Sequence, residues 1–90
     1  MDLTEIIKCF DLDVKQFMKL TNQHLDILWY ICKFGSISPM EAFSELGVTK
    51  LATRVSEMKS IGIRFDQGFE SGKNRFGKSV RYMRYRKAAA

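Results

Sequence analysis

Ninety residues with a formal charge of +5 and 46% hydrophobic side chains suffice for one domain with one modest core, and are too few for two. No stretch approaches the roughly 18 apolar residues of a membrane span, and Met1-Asp2-Leu3-Thr4-Glu5 lacks the basic start and apolar run of a secretion signal, so a cytoplasmic location is expected. Cys9 and Cys32 have no CxxC spacing and no companion histidines; they read as structural thiols, with a disulfide or metal role disfavoured. Enzyme chemistry has no foothold either. The chain offers no paired carboxylates framing a cleft, no metal-ligand cluster, no nucleophile beside a base and no P-loop spacing, so no catalytic residue, metal or cofactor is expected.

Charge is divided between the two halves. Residues 1–45 hold four Lys and seven acids, a balance of −3; residues 46–90 hold eleven Lys or Arg and three acids, a balance of +8. A basic face beside an acidic remainder suits a polyanion, because phosphate contacts supply most of the non-specific affinity of nucleic-acid binders. The plain alternative is a soluble basic tail.

In chain order, Asp2 and Glu5 have capping-box spacing, and Leu3, Ile6, Ile7 and Phe10 share a face, which predicts a helix over 3–10. Asp13 can cap a second piece, 14–20, striped by Val14, Phe17, Met18 and Leu20. Residues 1–20 therefore form a helical extension whose stripe must be buried, on the domain or on a second copy of the chain. Thr21 or Asn22 opens the next helix, with Leu25, Leu28, Trp29 and Cys32 inward and Gly35 as its stop. His24 and Trp29 read as structural residues. Ser36-Ile37-Ser38 is an extended link suited to a small strand against a later hairpin, and Ala88-Ala89-Ala90 reads as a vector-derived tail.

Residues 35–59 carry the clearest punctuation. Ser38 caps a helix with Pro39 at its first position, and Met40, Phe43 and Leu46 turn inward. Leu46-Gly47-Val48-Thr49 then ends that helix at a glycine and starts another with Thr49 as N-cap, which is a helix-turn-helix. On a wheel of residues 50–60, Leu51, Val55 and Met58, with Ala52 beside them, face the core, while Lys50, Thr53, Glu57 and Ser60 lie opposite and Arg54 and Ser56 flank. Those outward side chains suit base edges and phosphates. Lys50 or Arg54 can take guanine, Thr53 a thymine methyl or phosphate, Glu57 cytosine N4 or the orientation of Arg54, and Thr49 a phosphate at the helix start. Any amphipathic surface helix shows polar residues outward, so the wheel alone decides nothing.

From Gly62 the period becomes two. Ile61, Ile63 and Phe65 alternate with polar residues in a strand, 67–78 forms a long glycine-bearing tip, and 79–86 returns as a second strand. The tip carries Lys73, Asn74, Arg75 and Lys78, cations that gain little for folding and suit phosphates or minor-groove edges. Phe76 reads as packing the hairpin onto the domain, and Arg81, Arg84, Arg86 and Lys87 as extending the positive surface. The expected fold is mainly α with a β-hairpin (α+β): residues 21–87 form a winged helix-turn-helix, a three-helix core plus a two-stranded wing, behind the 1–20 extension.

Three separated motifs occur in order: Gly-Ser-Ile-Ser-Pro-Met-Glu-Ala-Phe (35–43), Leu-Gly-Val-Thr-Lys-Leu-Ala-Thr-Arg-Val (46–55), and Asn-Arg-Phe-Gly-Lys (74–78) with Val-Arg-Tyr (80–82). Over residues 21–86 the chain resembles the small winged helix-turn-helix proteins encoded by bacteriophages and prophages. The resemblance implies a DNA-binding regulator in the cytoplasm of a bacterial host, and carries over to Thr49, Lys50, Arg54, Asn74, Arg75 and Lys78. That family often has Arg at the position of Lys50 and Ala at that of Thr53, which leaves base preference open. Double-stranded DNA is the expected partner, with a homodimer through residues 1–20 as the means to specificity. The alternative is a winged-helix protein-binding module that inhibits or redirects a host protein through the acidic, apolar N-terminal part.

Overall fold

The computed structural model describes residues 3–88. The Asp2 cap and the last two alanines of the tail lie outside the described residues. Helices α1 (Leu3–Phe10), α2 (Val14–Met18), α3 (Asn22–Phe34), α4 (Pro39–Leu46) and α5 (Leu51–Ile61) are joined by strands β1 (Ser36–Ile37), β2 (Phe65–Lys73) and β3 (Ser79–Lys87). Three of the helices start at capping boxes. Asp13, Thr21 and Ser38 each accept the N–H three residues on, and the side chains of Gln16, His24 and Glu41 accept the cap's own N–H in return. Gly47 ends α4 in the left-handed region (φ 69°), which brings the chain round at once toward α5.

The sheet order is β1-β3-β2, all antiparallel. Ser36 pairs with Arg86 and Ile37 with Tyr85, so the short link between α3 and α4 is a strand on the hairpin, as its sequence suggested. The hairpin differs from expectation. Helix α5 continues through Ile61, the chain turns at Gly62, and β2 runs on to Lys73, leaving only residues 74–78 as the tip. Phe65 to Lys73 is polar and holds Gly68 and Gly72; its strand conformation comes from nine consecutive pairs with β3, not from local propensity.

Helix α3 lies centrally, touching α1, β1, α4, α5 and β3. A helix packed on several sides has no single apolar stripe. Hence Ile27, Leu28, Tyr30 and Ile31 are buried, whereas Leu25, Trp29 and Cys32, expected inward, are only partly so. Helix α4 is rotated from its expected phase. Small Ala42 is fully buried and permits close packing, Leu46 packs at the margin, and Met40 and Phe43 stay exposed. In α5, Leu51, Val55 and Met58 are buried as expected, but Ala52 is exposed.

The extension packs on its own domain. Ile6 is fully buried in the core, Leu12 is buried beside it, and the Phe10 ring lies 5.8 Å from that of Phe65. Cys9 and Cys32 are joined in a disulfide with their Cα atoms 6.3 Å apart, which corrects the reading of two structural thiols. The cause is tertiary: α1 lies along α3, and the two cysteines face each other across that seam. Gln16 donates to the Ile61 carbonyl at 3.4 Å and presses on Gly62, where φ is +104° and a Cβ would stand 3.0 Å from Gln16 Nε2, so this turn requires glycine. The stripe expected on α2 is divided: Val14 and Met18 are exposed, whereas Phe17 is half-buried and Leu20 packs against the core.

Candidate nucleic-acid interface

Helix α5 begins differently from its neighbours. Thr49 was expected to cap it; instead Lys50 occupies the N-cap position with φ −125° and ψ 60°, and no side chain caps the helix. Burial of Val48, whose N–H donates to the Ala42 carbonyl at 3.0 Å, draws the turn inward and leaves Thr49 and Lys50 exposed. The first N–H groups of an uncapped helix remain available to an outside acceptor, and the helix dipole favours an anion there.

A cleft of about 550 Å³ opens at this point, lined by Thr21, Asn22 and Gln23 at the start of α3 and by Thr49, Lys50 and Arg54. Two helix N-termini, a lysine and an arginine thus converge on one space, a setting for a phosphate. Sequence reasoning missed Asn22 and Gln23. The Thr21–His24 capping box was the available signal, since it places both residues in an exposed first turn.

Arg54 is held rather than free. Its Nη1 lies 3.1 Å from Glu57 Oε1, which also takes His24 Nε2 at 2.9 Å. His24 Nδ1 accepts the Thr21 N–H at 3.1 Å, so the proton sits on Nε2 and is donated to Glu57. The Arg54 side chain is 26% exposed and lines the cleft, while its Nε is buried and has no hydrogen-bond partner among the described residues. With Glu57 engaged by two donors, the outward face of α5 consists of Ala52, Thr53, Ser56, Lys59 and Ser60, all exposed. Short side chains there permit close approach of another surface.

Lys73, Asn74, Arg75 and Lys78 are all exposed on the wing. Asn74 organises the turn: its Oδ1 accepts the N–H groups of Phe76 at 2.9 Å and Lys78 at 3.1 Å. Phe76, expected to pack on the domain, is 79% exposed at the extremity. Strand alternation tells which face the wing cations share. Gln67 meets Lys59 of α5, so Phe69, Ser71 and Lys73, with Arg81 across from Ser71, belong to the sheet face that looks toward α5. The Arg81 guanidinium stacks 4.4 Å above the Phe69 ring on that face. The cleft residues and the wing tip are separate clusters, the first at the start of α5 and the second beyond the end of β2. Arg84, expected to extend the positive surface, is instead paired with Glu41 and Glu70.

The chain belongs to the winged helix-turn-helix domain family, whose model matches residues 22–86. That architecture is in general a DNA-binding one. No curated protein and no solved structure matches the chain. Among the described residues no group of three or more His, Cys, Asp or Glu is arranged to hold a metal ion, and no helix is long and apolar enough to cross a membrane.

Proposed function

We propose that the protein binds double-stranded DNA sequence-selectively as a phage-type transcriptional regulator. In this reading α5 enters the major groove, the wing lies on the backbone or minor groove, and the chain works in the cytoplasm of a bacterial host. The observation that carries it is the uncapped start of α5 facing a cleft shared by Lys50, Arg54 and the first turn of α3. Thr49, Lys50, Asn22 and Gln23 hold phosphate, Thr53 and Ser56 face the bases, Arg54 contacts a base edge or phosphate under the hold of Glu57, and Lys73, Arg75 and Lys78 follow the neighbouring backbone. Catalysis plays no part in this account.

Fluorescence anisotropy with duplexes of mixed sequence tests it. Affinity is expected to fall as salt rises, with a slope of about −0.9 per phosphate neutralised. Absence of binding at low salt, or binding indifferent to salt, contradicts it. One module buries little surface, so selectivity calls for a second copy on the DNA, and exposed Val14 and Met18 on α2 keep the extension available as that contact.

The protein-binding reading is supported by a different observation: Met40 is 72% and Phe43 59% exposed on α4. Pull-down with the Lys50→Ala, Arg54→Ala, Arg75→Ala variant separates the two. A host protein retained by the variant but lost on Phe43→Asp favours this second reading.

A further inference from the structure

One arginine joins four elements. Arg84 on β3 directs Nε to Glu70 Oε2 of β2 at 2.5 Å and Nη1 to Glu41 Oε1 of α4 at 2.7 Å and Ser36 Oγ of β1 at 3.0 Å. Its side chain is only 17% exposed. Glu41 is itself fixed, because the same oxygen accepts the Ser38 N–H at 2.9 Å in the capping box of α4. The first helix of the helix-turn-helix is therefore tied to the hairpin through one rigid fork.

Position along the hairpin gives the contact its leverage. β1 pairs with β3 only at Tyr85 and Arg86, so beyond Arg84 the two long strands pair only with each other out to the tip. Beyond it the first turn of α4 flanks the ribbon across a cavity of about 630 Å³ lined by Met40, Glu41, Gly72, Lys73 and Tyr82, and Arg84, at the inner end of that cavity's β3 wall, is a polar tie between ribbon and helix. A two-stranded ribbon projecting from a sheet is free to twist and bend. We propose that Arg84 is a positioning residue that sets the angle of the wing against the helix-turn-helix, through Glu41 and Glu70, so that the wing-tip cations and α5 reach one duplex together. This rests on the DNA-binding reading for its purpose, but the angle of the wing is a property of the free protein.

The proposal predicts effects opposite in sign to plain electrostatics. Glu41→Gln with Glu70→Gln removes two negative charges, which by charge alone strengthens binding to a polyanion. A Gln at position 41 keeps the capping box intact, while both Gln side chains exchange the charge-assisted hydrogen bonds to Arg84 for weaker neutral ones. If Arg84 sets the wing, the double variant binds more weakly, and its salt slope falls by about 2 as wing-tip phosphate contacts are lost at about 0.9 each. Arg84→Lys keeps the charge but not the planar fork, and is expected to lose as much as Arg84→Met. Arg75→Ala with Lys78→Ala then causes little further loss in either Arg84 background, though it weakens the parent chain.

The deciding experiment measures residual dipolar couplings of backbone amides in the free full chain alongside anisotropy titrations of the same variants. Couplings of 69–82 are expected to leave the alignment frame of α3–α5 in Arg84→Met and in Glu41→Gln/Glu70→Gln, with weakened binding in both. Unchanged couplings, or a Glu41→Gln/Glu70→Gln variant that binds as tightly as the parent or tighter, overturn the proposal. Failure of the parent chain to bind duplex overturns the DNA reading instead, while the couplings still decide whether Arg84 holds the wing.

Discussion

Glu57 Oε1 accepts from His24 on α3 and from Arg54 on its own helix, so one oxygen ties the recognition face to the domain beneath it. Glu57→Ala leaves a buried imidazole N–H without an acceptor and is expected to lower stability by about 1–3 kcal/mol in thermal or urea melts. Arg54→Ala is expected to reduce the salt slope of DNA binding by about 1, and Thr53→Ala to change sequence preference while the melting temperature stays put. The hydrogen bond from Arg84 holds the Glu70 carboxyl below the usual carboxylate range, with the charge of Arg84 acting the same way. A depressed native value means that this contribution to stability is present above the unfolded-state value and is lost as pH falls through the native one. Carbon-detected NMR titration should find Glu70 ionising at lower pH than in Arg84→Met. At this scale the sequence was only partly legible. Lys50, Thr53 and the wing cations stood out by type and place, but the commitment of Glu57 to His24, 33 positions away, and of Arg84 to Glu41, 43 positions away, depends on packing that no local pattern encodes.

At the scale of elements, local chemistry was the better guide. Asp13, Thr21 and Ser38 cap the helices that their spacing announced, and glycines end α3, α4 and α5. Ser38→Ala is expected to cost about 1 kcal/mol, because the side chain that holds the first turn of α4 is removed. Helix phase was harder to read. Met40 and Phe43 looked like core by spacing, yet α4 buries its smallest apolar residue against α3, since close approach of the two helices outweighs the burial of larger side chains. The disulfide likewise follows from a helix pairing invisible to residue spacing. Crosslinking residues 23 apart restricts the unfolded chain, so reduction is expected to lower stability by about 3 kcal/mol, and alkylation of thiols during lysis reports which form the cell contains. Ile6→Ala is expected to cost about 2–5 kcal/mol even though it lies in the extension, because that side chain is fully buried in the shared core.

Across the whole molecule, the division into an acidic first half and a basic second half survives folding in modified form. Arg84 is paired with its two carboxylates and Arg54 with Glu57, while Lys50 and the wing-tip cations Lys73, Arg75 and Lys78 stay exposed at the surface. The exposed, uncapped start of α5 departs from the capping seen at α2, α3 and α4, and such a departure from local rules is characteristic of a binding site. The most direct test is amide chemical-shift mapping of the labelled chain titrated with a short duplex at low salt. Shifts are expected to concentrate at 21–23, 49–60 and 73–78. Shifts confined to α1, α2 and the exposed side of α4, or no shifts at all, contradict the account.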